Sequence, residues 1–473
     1  MKRTLIVGSG GFIGSHLHAR FPDASAIRGR EHIDLLDAAQ VAWFFKQHGP
    51  FGYVFFCAAV GGRRTRHDDE AVFAANVSMF DNVARNEDCF DRLVHFTSGA
   101  ALDRAGPITA DTELGSAHIQ DPYGRAKQHI ELRHRSSQVI HIRVFGCFGI
   151  GESESRIITS SIRAHACGIP IIIPQDRVFG MVHVDELVDL CARMVLDDVP
   201  STTLVACNRD PVTLADLARM AGAEPVVLSS EMGLPYTGRG NSVGLPKQIA
   251  LLAEAMRHNH AVIFGAGGSI GGAIAARFRA DGWQVSCVGH QDALLQDWPP
   301  RWLAGVNVVV WAGGLNTNDG VGDFDSGVFD AMMQGNCKFV VETAHKLWSA
   351  DKIAYGARLC AVSSVWQTHT RPGKLSYTCS KGALGAAVRA LAADMAPRQV
   401  LVNAVLPGAV DNEMTRCTMP QAAQQQVRDR TGFHRMISVQ EVANAVWALT
   451  HTYTGITGQS IPVDLGLTTN TGL

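Results

Sequence analysis

Apolar runs of strand length alternate along this chain with stretches of helical spacing, which predicts strands and helices in a repeated β-α-β order. Residues 4–7, 24–27, 53–56 and 93–96 are nearly unbroken apolar runs, and 15–20, 41–45 and 121–131 read as helices between or after them. The order then starts again. Apolar runs recur at 261–264, 285–288, 307–312 and 359–362, with helical segments at 272–277 and 329–336. Runs without polar alternation suit parallel strands covered on both faces. The aromatics Trp43, Phe44 and Phe45 are expected in the core. Between the two series, 213–220 and 245–256 read as helices around a loop-like stretch at 233–242.

The turn after the first strand is the same in both series. Gly8-Ser9-Gly10-Gly11-Phe12-Ile13-Gly14 is matched by Gly265-Ala266-Gly267-Gly268-Ser269-Ile270-Gly271. Glycines let backbone come close to a dinucleotide pyrophosphate, and a helix N-terminus offers it free N–H groups and partial positive charge. One such turn also serves plain packing; two in the same context point to two cofactor sites. The second strand of the first series ends at Arg28 and Arg30, which would attract an adenosine 2′-phosphate and favour NADP(H), with NAD(H) as the alternative. Two solvated loop charges are the structural alternative. In the second series the same place holds His290, with no carboxylate beside it. The strand ends carrying Ala58 and Ala59, and Ala312 and Gly313, are expected beside the nicotinamide. Arg63, Arg64 and Arg66 follow the first of these, either as a diphosphate clamp or as a solvated basic loop.

Further along, Tyr123 and Lys127 stand one helical turn apart on one face. A lysine cation beside a phenol favours phenolate, moving its pKa from about 10 toward the working range. Such a phenol can exchange a proton with a carbonyl or alcohol while a nicotinamide exchanges hydride. Ser98, at the C-terminal end of its strand, would hydrogen-bond the same oxygen.

From these residues, together with Arg143-Val-Phe-Gly-Cys-Phe-Gly-Ile-Gly151 and Met181-Val-His-Val-Asp-Glu186, roughly residues 1–255 resemble the extended short-chain dehydrogenase/reductases of the NAD-dependent epimerase/dehydratase family. Residues 28–37 and Val60-Gly61-Gly62 look most like the GDP-L-fucose synthase group, which acts on 4-keto-6-deoxy sugar nucleotides. The resemblance assigns Tyr123, Lys127 and Ser98 to catalysis and Arg30 to the 2′-phosphate. It also implies cofactor contacts at Gly8, Gly11, Phe12, Ile13, Gly14, Arg28, Ala58, Ala59 and Lys127. The epimerising cysteine and histidine of that group are absent at Ser98-Gly99-Ala100 and Gly149–Ser153, so reduction or dehydrogenation is the expected chemistry.

Residues 258–473 resemble the single-domain short-chain dehydrogenase/reductases through Tyr377-Thr-Cys-Ser-Lys381 and Val402-Asn-Ala-Val-Leu-Pro-Gly408. That resemblance implies a tetrad of Asn336, Ser364, Tyr377 and Lys381. It places the cofactor against Gly265, Gly268, Ser269, Ile270, Gly271, His290, Ala312, Gly313, Lys381, Pro407, Gly408 and Asn412. From Gly8 to Tyr123 is 115 residues and from Gly265 to Tyr377 is 112, so the halves look like two subfamilies fused.

The expected fold class is therefore α/β, with two tandem Rossmann-type doubly wound parallel-sheet domains at 1–257 and 258–473. The first should carry a small C-terminal substrate-binding portion. A length of 473 residues with 46% apolar and 18% charged composition suits two globular domains. The net charge of -2 gives no reason to expect nucleic acid or an anionic membrane. Eleven cysteines without a CxxC pair, and no leader before residue 4, point to a reducing cytoplasm and no metal site. Cys57, Cys147, Cys207, Cys287 and Cys360 sit in apolar runs and are expected as small core residues.

The leading expectation is a bifunctional NAD(P)-dependent oxidoreductase, one cofactor per half, acting on a small molecule such as a sugar nucleotide and assembling as a homodimer. The alternatives are one catalytic half beside a structural one, an epimerase working by paired oxidation and reduction, and an NADP(H)-sensing regulator. The last class usually lacks a Tyr–Lys pair, and both halves here contain one.

Overall fold

A computed structural model of the chain describes residues 3–30, 32–62, 68–102, 106–109, 112–115, 119–197, 203–238, 240, 242, 244–257, 259–289 and 305–469. It divides into two compact units. The first comprises Met1–Glu152, Arg156–Ile162 and Pro170–Glu254; the second comprises Ser153–Ser155, Arg163–Ile169 and Ala255–Leu473.

The first unit is built on six strands: β1 (Thr4–Val7), β2 (Ser25–Ile27), β3 (Phe51–Phe56), β4 (Phe90–Ser98), β5 (Val139–Val144) and β6 (Thr203–Ala206). Their order is β2-β1-β3-β4-β5-β6, and every pairing is parallel. Leu5, Ile6, Val7, Val54 and Phe55 are fully buried, which is why the central strands read as unbroken apolar runs. Side chains of that kind contribute roughly 1.5–3 kcal/mol each on burial. The chain leaves β1 toward β2 on one side and returns to β3 on the other. A crevice for a ligand therefore opens beyond the C-terminal ends of β1 and β3.

Acidic side chains start the helices that flank this sheet. Asp37 caps Ala38–His48, Asp69 caps Glu70–Ala84, and Asp121 caps Pro122–Arg133, whose first residue is proline. In Ala38–His48, Val41 and Phe45 face the core, whereas Trp43 is 62% exposed. The expected burial of all three aromatics is thus corrected, because a helix turned by Val41 and Phe45 points residue 43 outward. Past β5 lies a smaller region. Ile171–Ile173 pairs with Pro225–Val227, Cys147–Phe148 pairs with Val182–His183, and Thr213 starts Leu214–Met220 with a capping box to Asp216.

The second unit repeats the sheet with β7 (His260–Phe264), β8 (Gln284–Val288), β9 (Val306–Trp311), β10 (Ile353–Val362), β11 (Leu401–Pro407) and β12 (Ser460–Val463). The order is β8-β7-β9-β10-β11-β12, again all parallel. Because β8 is an edge strand, Cys287 is exposed, which corrects its expected core position. Cys207 and Cys360 are buried, and Cys57 and Cys147 are half-buried. The helix expected at 329–336 is not continuous. Ser326–Met333 passes into a π-helical turn, Gln334–Lys338, before helix Phe339–Ser349.

Among the described residues, no helix is long and apolar enough to cross a membrane, and no group of three or more His, Cys, Asp or Glu is placed to hold a metal ion.

Candidate active sites

Each unit carries a glycine cradle at the switch point of its sheet. Gly8 has φ +86°, and a Cβ there would lie 2.7 Å from the Ala58 nitrogen; a Cβ on Gly14 would lie 2.2 Å from the Gly8 carbonyl oxygen. The second unit repeats this at Gly265 against the Gly313 nitrogen (2.5 Å) and at Gly271 against the Gly265 carbonyl oxygen (2.2 Å). Gly11 and Gly268 occupy the caps of Phe12–Arg20 and Ser269–Ala280, and neither helix start has a side-chain cap. Both therefore leave their first backbone N–H groups uncapped by a side chain. Phe12, Ile13, Ile270 and Ala312 pack their apolar parts against the cores beneath. Arg28 and Arg30 are exposed at the end of β2. The Arg28 stem lies 3.2 Å from where a Cβ on Gly10 would stand, beside the cradle. Ala58 is half-buried and Ala59 exposed at the end of β3. His290 and the arginines 63, 64 and 66 lie outside the described residues.

The Tyr–Lys pairs come out alike. Lys127 Nζ stands 5.7 Å from the Tyr123 ring centroid, and Lys381 Nζ stands 5.7 Å from that of Tyr377. Both lysines are 3% exposed, and burial brings each pKa down from 10.5 to about 8. Lys127 donates to the Phe96 carbonyl at 2.8 Å, and Lys381 to the Val362 carbonyl at 3.4 Å. In the second unit the Ser364 hydroxyl hydrogen-bonds the Tyr377 phenol, and burial pushes that phenol up rather than down. The expectation of a lowered phenol therefore does not extend to Tyr377: loss of water outweighs the Ser364 hydrogen bond that lowers it. In the first unit Ser98 and Tyr123 share one cavity wall, and the Ser98 hydroxyl also accepts from the Ala100 N–H at 3.1 Å.

Asn336, in the π-helical turn, accepts from Leu315 N–H (2.7 Å) and donates to the Leu315 carbonyl (2.9 Å) and to Ser380 Oγ (2.9 Å). Its oxygen and Lys381 Nζ flank Gly314, where a Cβ would meet them at 3.0 and 3.2 Å. The first unit has a counterpart that sequence reading missed. Asn76 makes the same two bonds to Val60, at 3.0 Å from its N–H and 2.8 Å to its carbonyl. The signal was an asparagine in the helical segment that follows the third strand of each sheet. Also missed was Lys374, which is buried, donates to Asn316 Oδ1 and the Thr317 carbonyl at 2.7 Å each, and lies 5.1 Å from the Tyr377 ring.

Gly408, just after Pro407 at the end of β11, packs against Asp464. Asn412 is engaged within the protein: its oxygen accepts from Thr415 N–H (2.9 Å), and its amide donates to Ser269 Oγ (3.2 Å) across the mouth of the second cradle.

A cavity of about 650 Å³ opens over Tyr123. Gly62 forms its floor beside the phenol, with a Cβ there only 3.1 Å from three ring carbons. Arg156, Arg177, Phe179 and Tyr236 also line the cavity. None of these four was singled out from sequence, because they come from the small region past β5, and only folding brings them to the sheet end.

The profile of the NAD dependent epimerase/dehydratase family matches residues 4–206, and that described as enoyl-(acyl carrier protein) reductase matches residues 300–468. Among curated relatives, uncharacterized oxidoreductase YmfI of Bacillus subtilis (strain 168) is 36% identical over 109 residues, covering 23% of this chain and 45% of the relative. Glucose 1-dehydrogenase of Gluconobacter oxydans (strain 621H) is 39% identical over 108 residues, covering 22% and 41%. Nodulation protein G of Rhizobium meliloti (strain 1021) is 27% identical, covering 44% of this chain and 96% of the relative. The chain spans about half the length of most curated relatives it matches. Among solved structures, the Thermoplasma acidophilum aldohexose dehydrogenase aligns with TM-score 0.42 at 22% identity over 46% of this chain and 97% of its own.

Proposed function

Residues 4–206 belong to the NAD dependent epimerase/dehydratase family and residues 300–468 to the short-chain dehydrogenase/reductases, and from this pairing we propose that the chain is a bifunctional NAD(P)-dependent oxidoreductase. The observation that carries the reading is the duplicated geometry: a cradle, a tyrosine and a buried lysine at 5.7 Å from its ring in each unit. The glycine cradles fit a dinucleotide: Gly14 and Gly271 bring each helix start so close to its turn that a methyl there would strike the Gly8 or Gly265 carbonyl oxygen. When bound, that cofactor supplies or accepts the hydride.

The chain's own residues handle the proton. Tyr123 and Tyr377 present phenol oxygens that give a proton to a carbonyl oxygen, or take one from an alcohol. Ser98 and Ser364 hold that oxygen in register, and the Lys127 and Lys381 ammoniums favour the phenolate left behind. Asn336 fixes the backbone beside Lys381, and Asn76 fixes Val60, two residues before the Gly62 that lies against Tyr123.

For the first unit we assign a nucleotide-linked keto-deoxy sugar as substrate. Arg156 and Arg177 suit a diphosphate, Phe179 and Tyr236 suit a ring, and about 650 Å³ is ample for a ligand of that class. Arg28 and Arg30 favour NADP(H) there. The second unit then acts as a further ketoreductase or dehydrogenase.

Replacing each tyrosine tests the reading. Tyr123→Phe and Tyr377→Phe should each remove one hydride-transfer step while leaving cofactor binding intact, followed by product NMR with NADPH and 4-keto-6-deoxy sugar nucleotides. A variant that turns over like the parent removes its unit from the catalytic assignment and leaves it a structural partner.

A further inference from the structure

Lys127 begins a hydrogen-bonded chain of side chains that the proposed chemistry does not use. Lys127 Nζ is 3.3 Å from His95 Nε2; His95 Nδ1 is 3.1 Å from His141 Nδ1; and His141 Nε2 is 2.7 Å from the His134 carbonyl oxygen. His95 is 0% and His141 4% exposed.

The roles of the atoms follow from the two ends. A carbonyl only accepts, so His141 carries its proton on Nε2 and leaves a lone pair on Nδ1. His95 must then carry its proton on Nδ1, and its Nε2 lone pair faces an ammonium that only donates. No atom is left to choose. Both imidazoles stay neutral, since burial and the nearby Lys127 cation hold His95 well below the usual histidine range and burial lowers His141.

The ionisable groups around His95 come from every neighbouring element. Lys127 and His134, on or at the end of Pro122–Arg133, and His141 on β5 act on His95 itself. Cys57 after β3 acts on Lys127, Glu131 and Arg143 act on His141, and Asp81 on the helix Glu70–Ala84 bonds His134 Nε2 at 2.8 Å. Phe56 and Phe80 also pack against the His95 ring.

The second unit provides an internal comparison. The register of β4 and β5 pairs His95 with His141, and the next residue, Phe96, offers its carbonyl to Lys127. The register of β10 and β11 pairs Ala361 with Ala404, and the next residue, Val362, offers its carbonyl to Lys381. One position in the sheet thus holds two imidazoles in the first unit and two methyl groups in the second.

We propose that His95, oriented by His141, is a positioning residue of the first site: it accepts from Lys127 and holds that ammonium toward Tyr123. The inference rests on Tyr123 and Lys127 being the proton-handling pair proposed above.

The test uses the full chain. Nitrogen-15 histidine spectra of the parent protein should show His95 protonated on Nδ1 and bare on Nε2; the opposite tautomer overturns the proposal. Titration of [13Cε]lysine, with Lys127 assigned through Lys127→Arg, should place the Lys127 midpoint about one pH unit lower in His95→Leu, as expected for losing a hydrogen bond to a charged group. The alkaline limb of first-site kcat/KM should move with it, and the Lys381 signal should stay in place. His95→Gln, which can accept from Lys127, should restore the midpoint. A midpoint unmoved in His95→Leu overturns the proposal. Should that variant not fold, His141→Phe must release the His95 tautomer, and a tautomer that stays locked overturns it equally. Absence of first-site turnover in the parent would count against the Tyr123 assignment, while the tautomer and midpoint readings report on Lys127 independently.

Discussion

Placing a methyl group on Gly14 or Gly271 separates the two cofactor sites of the chain. Neither glycine has a left-handed φ, so alanine brings no backbone strain and its whole effect is contact. The new carbon on Gly14 would stand 2.2 Å from the Gly8 oxygen, 2.9 Å from its carbonyl carbon and 3.0 Å from Ser9 Cα; on Gly271 it would stand 2.2 Å from the Gly265 oxygen. Non-bonded carbons settle near ~3.5–4 Å, so helix and turn must part by about 1 Å. Overpacking of that kind costs about 1–3 kcal/mol in stability. The larger effect falls on the ligand. A shift of about 1 Å carries N–H donors out of the ~2.7–3.2 Å range in which they bond a phosphate oxygen. Losing one hydrogen bond to a charged group costs ~1.5–3 kcal/mol, roughly a ten- to hundredfold fall in affinity. Titration calorimetry of the full chain with NADPH should show two sites in the parent, one strong site in either variant and none in the double variant. Two sites at parental affinity in both single variants would refute the cradle assignment.

Three further outcomes follow from the same geometry. Because burial brings Lys127 and Lys381 from 10.5 to about 8, turnover at both sites should fall as pH rises through about 8. The unfolded chain keeps those two protons up to about 10.5, so it binds more protons over that window, and the two lysines should make folding stability rise while rates fall. Urea midpoints at pH 8 and 10 read this sign, and a parallel fall of both quantities traceable to these lysines would contradict it. Arg143→Met leaves the Glu131 carboxylate, 3% exposed and otherwise bonded to Thr97 Oγ1 at 3.1 Å, without its cation. That should cost about 3–5 kcal/mol in the first unit's unfolding transition while Tyr377-dependent turnover persists. Arg30→Ala should remove most of the NADPH-over-NADH preference of the first site, measured as the ratio of dissociation constants; an unchanged ratio would exclude Arg30 from the 2′-phosphate.

The parts of this molecule that were readable from sequence are those fixed by local rules. Buried parallel strands have no polar face, so β1, β3, β7 and β9 announce themselves. A cradle needs glycine at set intervals, and a tyrosine and lysine on one helical face stand four residues apart whatever surrounds them. What escaped depends on partners far along the chain. Trp43 points outward because Val41 and Phe45 win the core. Cys287 is exposed because its strand ends the sheet, which no local pattern encodes. Arg177 and Tyr236 reach Tyr123 only once the small region folds over the sheet end. His95 and His141 resemble ordinary strand residues until the register sets them face to face. Even the phenol of Tyr377 depends on how much water folding removes, and composition is silent on that.

The π-helical turn at Gln334–Lys338 has a consequence for how the two halves can be compared and altered. A π turn holds one residue more than the α turn it replaces. Asn76 reaches Val60 from within an unbroken α-helix, yet Asn336 makes the same pair of bonds to Leu315 from inside the widened turn. Any residue-by-residue superposition of the halves must therefore open a gap close to these asparagines. Deleting one residue ahead of Asn336 would let the helix close to ordinary pitch, the form from which Asn76 already makes its pair of bonds. A one-codon deletion ahead of Asn336 is thus the change that would bring this helix of the second half to the form it has in the first.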